Sequence, residues 1–165
     1  MAIIELTTEI DAPIGRVFDL ARSIDLHTTS TSKSGERAIA GVTSGLLGAG
    51  EEVTWRARHF GVWQSLTVRV EVFEPPTHFS DRMLRGAFRQ MEHHHHFAPS
   101  PRGTTMRDVF EFHSPLGVLG RAVDALVLKR YLQSFLAERN RVIKSTAESD
   151  EWRRYLETAV VTRPR

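Results

Sequence analysis

A change of period at Pro115 limits the possible folds of this chain more than any other feature in it. Upstream, apolar and polar residues alternate. Between Trp63 and Glu74, Leu66, Val68, Val70 and Val72 stand against Thr67, Arg69 and Glu71, and between Glu51 and Phe60, Val53, Trp55, Ala57 and His59 stand against Thr54, Arg56 and Arg58. Period two is the mark of a strand with one buried face. Downstream, Leu119, Val123, Leu126, Val127, Phe135 and Leu136 recur at three- and four-residue steps. That spacing predicts one long helix from about Leu116 to Ala147, roughly 45 Å at about 1.5 Å per residue. Strands joined by short turns pair antiparallel, and a single long amphipathic helix has to bury its stripe. An α+β fold is therefore expected, with a curved antiparallel sheet wrapped around the C-terminal helix.

The remaining elements follow from local signals. Ile3 to Ile10 reads as a strand. Asp11-Ala12-Pro13 reads as a helix start with a carboxylate cap, and Val17, Phe18, Leu20 and Ala21 as a short amphipathic helix. Ser23 to Gly35 has room for one more short helix, and the glycines from Gly41 to Gly50 predict a loop. Strands are expected at His78–Leu84, Arg89–Phe97 and Thr104–His113, the last two joined by a Pro99–Gly103 loop. One domain over residues 1–148 is expected. The tail, 149–165, keeps an amphipathic fragment at Trp152, Tyr155, Leu156 and Val160.

Composition removes several function classes. The 165 residues hold no cysteine, which excludes thiol catalysis, cysteine zinc sites and disulfides. A hydrophobic fraction of 41% excludes disorder. The net charge is only +2, with acids interspersed among the arginines, so no basic face gathers for nucleic acid. No apolar run reaches the roughly 20 residues of a membrane span. The N-terminal segment lacks a signal-peptide pattern, and a cytoplasmic location is expected. No nucleophile elbow or phosphate-binding glycine loop is present, and no cofactor is expected.

The run His93–His96 carries the strongest local signal. Alternation puts Met91, His93, His95 and Phe97 on the inner face, and leaves His94 and His96 as solvated surface. A turn near Gly86–Phe88 sets Asp81 opposite His93, and the Pro99–Gly103 loop sets His93 near Asp108 and His95 near Met106. The inner face would then carry Asp81, His93 and Asp108 in a row, beside Met106 and Phe110. Histidine between two carboxylates is expected to have a raised pKa, leaving His95 free to meet a ligand. Three readings stay open: a structural polar network, a polar contact at the base of a ligand pocket, or general acid–base chemistry. His93 and His95 have a strand spacing that suits zinc, but no third ligand is set by sequence, so no metal is expected.

The order of elements resembles the START-like, or SRPBCC, superfamily and its helix-grip fold, closest to the polyketide cyclase/dehydrase and lipid-transport branch. The resemblance spans roughly Ile3 to Thr146. It rests on Ile10-Asp11-Ala12-Pro13 with Val17-Phe18, on Glu51–Trp55, Phe79-Ser80-Asp81 and Arg85–Phe88, and on Thr105–Asp108 followed by Ser114–Gly117. Met91–Phe97 is similar to a family phrase in which an aromatic, two histidines and a phenylalanine alternate, with Met91 where an aromatic is usual. The resemblance implies a cavity between sheet and helix that holds a small hydrophobic ligand. Asp81, His93, His95, Asp108, Trp55, Met91, Phe110, Val123 and Val127 are the expected ligand-binding residues. An aromatase/cyclase-type enzyme and a ligand-free regulatory or assembly protein are the alternatives, and a homo-oligomer is left open.

Overall fold

The computed structural model describes residues 1–113 and 127–161. Seven strands form one antiparallel sheet: β1 (Ala2–Ile10), β2 (Arg37–Gly41), β3 (Glu52–His59), β4 (Val62–Glu74), β5 (His78–Arg85), β6 (Gln90–Ser100) and β7 (Gly103–His113). Their spatial order is β1-β7-β6-β5-β4-β3-β2, so the first strand closes against the last. Two short helices, α1 (Ile14–Ala21) and α2 (Ile24–Ser30), link β1 to β2. Helix α3 (Lys129–Ala147) lies across the sheet and α4 (Trp152–Val161) follows it. Among the described residues, no helix is long and apolar enough to cross a membrane.

Alternation sets the inner face. On β6 Met91, His93, His95 and Phe97 are buried, and on β7 Thr104, Met106, Asp108, Phe110 and Phe112. Two register shifts between β4 and β5, with Leu84 of β5 and Glu71 of β4 as the extra residues, mark bulges. Bulges of this kind bend a strand and add to its twist, which curves the sheet over the helix. At the β3–β4 hairpin, Phe60 and Gly61 both take positive φ, 50° and 79°, in a two-residue turn whose twist matches its strands.

The chain departs from the sequence expectations at three places. The glycine-rich segment is preceded by a short edge strand, β2, that its composition hides. Asp11 does not cap α1; Pro13 is the N-cap, and Asp11 instead receives Arg102 on its carboxylate and bonds Glu148 through its amide. The β6–β7 connection is a two-residue turn at Pro101-Arg102, with Ser100 paired to Gly103, not a five-residue loop. Pro99 fits inside β6 because β5 has already ended at the His78–His96 pair, so no partner needs its missing N–H there. The tighter turn moves the register by two residues and leaves every side chain on its expected face.

Two clusters form the core. Phe18 of α1 meets Phe73, Phe79 and Phe97 edge-on at 5.4 to 5.7 Å, with Ile10, Met106 and Ile143 around them. Val53, Trp55, Val70, Phe110, Phe112 and Leu136 make the second cluster under the open part of the sheet. The predicted C-terminal helix ends at Ala147 as expected, while its start at Leu116 and the stripe positions Leu119, Val123 and Leu126 lie outside the described residues. In α4, Trp152, Tyr155 and Leu156 pack on the first cluster. Arg16 links the two ends, donating to Ala147 O at 3.0 Å while its guanidinium lies 4.4 Å from the centre of the Trp152 ring.

Candidate functional site

Strands β5, β6 and β7 supply the floor of a cavity, and α3 its roof. The cavity holds about 440 Å³. Its walls are mostly apolar: Val53, Trp55, Met91 and Phe110 from the sheet, Leu128 and Leu132 from the helix side. Asp81, His93 and His95 bring polar atoms to it, and Val127 stands half-exposed at its edge. Asp108 lies one layer deeper, 1% exposed, and does not reach the cavity. Val123 lies outside the described residues. The structure thus gathers every other residue expected of the site.

The row is arranged differently from its sequence expectation. Asp81 does pair with His93, but His95, not His93, stands opposite Asp108, and His93 opposite Phe110. Asp108 nonetheless collects both rings, at 3.1 Å from His93 Nε2 and 2.7 Å from His95 Nδ1. Its other oxygen accepts from Asn140 Nδ2 at 2.6 Å, and the Arg139 guanidinium stands 3.7 Å away. Arg139 is itself anchored on Ala21 O at 2.8 Å. His95 is therefore the imidazole between two carboxylates, with Nε2 3.5 Å from Asp81 Oδ2. From sequence His95 is expected to be free, but it has a carboxylate near each nitrogen and stacks on Phe79 at 4.2 Å. Asp81 Oδ1 is buried and has no partner among the described residues.

Charge states follow from burial. Burial works against ionisation of Asp108, but the hydrogen bonds and positive charge of His93 and His95 outweigh it and hold the carboxyl well below its usual range. His93 moves opposite to the sequence expectation. Burial, reinforced by His95 and Arg139, lowers its pKa to about 4 despite the Asp108 bond.

A second polar group, unforeseen from sequence, borders the cavity. Glu36 is 7% exposed and receives His27 Nε2 at 3.1 Å, while His27 stacks on Trp55 at 4.2 Å. Burial opposes the Glu36 charge, yet His27 and Thr31 keep its pKa below the usual value. His59 Nδ1 meets the Tyr131 hydroxyl at 2.7 Å. His27 lies on α2 and Glu36 in the connection before β2, and nothing in the local sequence marks the two as partners. Arg139 and Asn140 did carry a signal: two polar residues three and four places after Leu136 fall on the apolar stripe.

Asp81, His93 and His95 can each bring one ligand atom within 4.8 Å of the others, as a metal site would require. On the opposite face of the sheet, His94 and His96 are half-buried rather than solvated, because His78 of β5 packs against both.

The family model described as polyketide cyclase/dehydrase and lipid transport matches residues 1–148. No curated protein matches the sequence. Among solved structures, the TTHA0849 protein of Thermus thermophilus is 17% identical with a TM-score of 0.69, covering 88% of this chain and 99% of its own. A START superfamily protein from Mycobacterium smegmatis is 13% identical at TM-score 0.65, covering 88% and 97%. The major latex-like protein 151 of Panax ginseng is 15% identical at 0.64, covering 90% and 98%. These likenesses establish the helix-grip fold.

Proposed function

The chain belongs to the polyketide cyclase/dehydrase and lipid transport family, and from that starting point we propose that it binds one small hydrophobic ligand, lipid-like or polyketide-like, between the sheet and α3. The observation that carries the reading is an apolar cavity of about 440 Å³ lined by Asp81, whose buried Oδ1 has no partner among the described residues. The volume falls within the range of roughly 300–1,000 Å³ that suits small-molecule sites. An unpaired buried acceptor is unfavourable until something donates to it. The ligand therefore presents a hydroxyl or amine to Asp81 and apolar surface to Trp55, Met91 and Phe110.

The apolar fluorophore N-phenyl-1-naphthylamine, titrated into the protein, tests this. Saturable binding at one molecule per chain is expected. Ala57 is 3% exposed and lines the cavity, so Ala57→Phe should weaken binding at least tenfold while the circular dichroism spectrum is kept. Equal binding by the filled variant, or none by the wild type, overturns the reading. Mass spectrometry of small molecules carried through native purification would then identify the natural ligand.

One arrangement favours a second reading, an aromatase/cyclase-type enzyme. His95 is oriented by Asp108 and faces Asp81 at the cavity floor, the geometry of a positioned general base. Turnover of a polyketide-like substrate that is lost in His95→Gln, with ligand affinity kept, would favour this second reading over simple binding.

A further inference from the structure

The outer face of the sheet holds a histidine cluster that the cavity does not use. His78 of β5 lies opposite His96 of β6, and His94 stands two residues back on the same strand and face. The His78 and His96 rings stack almost parallel, 4.3 Å apart at 10°. His78 Nε2 and His94 Nδ1 face each other at 3.4 Å. Tetrahedral zinc with bonds of about 2.0–2.1 Å needs a nitrogen–nitrogen edge of about 3.3 Å. One ligand atom from each of the three residues lies within 4.8 Å of the others, so a small rotation of His96 completes a three-imidazole face.

The far nitrogens are also supported. His78 Nδ1 has Glu74 Oε2 at 3.9 Å, and His94 Nε2 has Glu92 Oε2 at 3.7 Å. A carboxylate behind each of two imidazoles orients the ring and increases its basicity as a donor, as in metal centres where outer carboxylates hold ligating histidines. From this geometry we infer that His78, His94 and His96 form a surface site for a borderline divalent transition metal ion such as zinc, with a fourth position open to water.

The charges around the site agree with this. Glu74 and Glu92 supply negative charge, and Glu92 also pairs with Arg82 at 2.9 Å. Arg107 on β7 is the opposing cation near His96, and its guanidinium is drawn away to Glu5 at 2.8 Å. Imidazole donors suit zinc, copper and nickel rather than magnesium or calcium.

The test is equilibrium dialysis of the tag-free full chain against Zn²⁺, with thermal melts in parallel. One ion per chain is expected, with Tm rising as zinc rises. His94→Gln and His96→Gln should each weaken binding at least tenfold and remove the Tm response, while melting without zinc stays near the wild type. Should either variant fail to fold, Glu92→Gln on the surface serves in its place, with affinity expected to fall about tenfold. Asp81→Asn, in the cavity, should bind zinc as the wild type does. Absence of saturable binding overturns the inference, as does unchanged binding in the outer-face variants or loss of binding in Asp81→Asn alone.

Discussion

Replacing His93 with glutamine removes one titrating group from the buried row and keeps an N–H that can donate to Asp108. In the wild type, burial and then the neighbouring His95 hold the ring neutral down to about pH 4, against 6.5 for the open chain. Between those values the unfolded chain takes up a proton that the folded chain refuses. Stability therefore falls as pH falls through this window, beginning at the unfolded value. Each pH unit at a difference of one proton is worth about 1.4 kcal/mol. Moving from pH 6.5 to about pH 5 thus removes about 2 kcal/mol. Burial likewise lowers His59, His78 and His96, so the wild type alone would report a sum. The difference between wild type and His93→Gln isolates the one group. Asp108 acts in the same direction but lower: its stabilisation is present above the ordinary carboxylate range and lost only as pH drops below it. Urea denaturation at about pH 7 and about pH 5 gives the comparison. The wild type should lose about 2 kcal/mol more than the variant. Parallel losses in the two proteins would refute the argument, as would an NMR titration of the His93 ring with a midpoint at or above the open-chain value.

Asp108→Asn leaves the buried Arg139 without its carboxylate and opposes an amide N–H to Asn140, so chemical denaturation should show a loss of about 3–5 kcal/mol. Asp81→Ala removes a carboxylate with one oxygen unpartnered among the described residues and the other 3.5 Å from His95 Nε2, so chemical denaturation should show a loss of about 1 kcal/mol while affinity for the cavity probe falls. Gly103→Ala forces a methyl group to about 2.5 Å from Ile10 O at a φ of 154°, and the Tm should drop by several degrees, with a loss of about 1–3 kcal/mol.

Much of the fold was legible because its signals are local. Met91, His93, His95 and Phe97 all face inward as their alternation requires, and Ala147 ends the helix where the stripe of Leu136 and Ile143 runs out. The strand β2 was hidden because Arg37–Gly41 is a short edge element with little alternation. Membership of the site divides in the same way. Trp55, Met91 and Phe110 could be assigned to the inner face from period two, but Glu36 reaches the cavity border, against His27 of α2, only through a connection whose path no periodicity describes.

Residue spacing and short turns, both written along the chain, were enough to settle which side chains share a face, that the strands run antiparallel, and that one helix must be gripped by the sheet. Which of two inward histidines sits between the carboxylates was settled only on folding, because a turn shorter by three residues slides β7 by two places without turning any side chain over. The charge on His93 was settled there too: burial under α3, with Arg139 beside Asp108, outweighs the carboxylate that the sequence places within reach. Folding also brought His78 against His94 and His96, residues sixteen and eighteen positions away; the Gly86–Phe88 turn implied the β5–β6 register that does this, but only the packed rings show the three side chains meeting on the outer face.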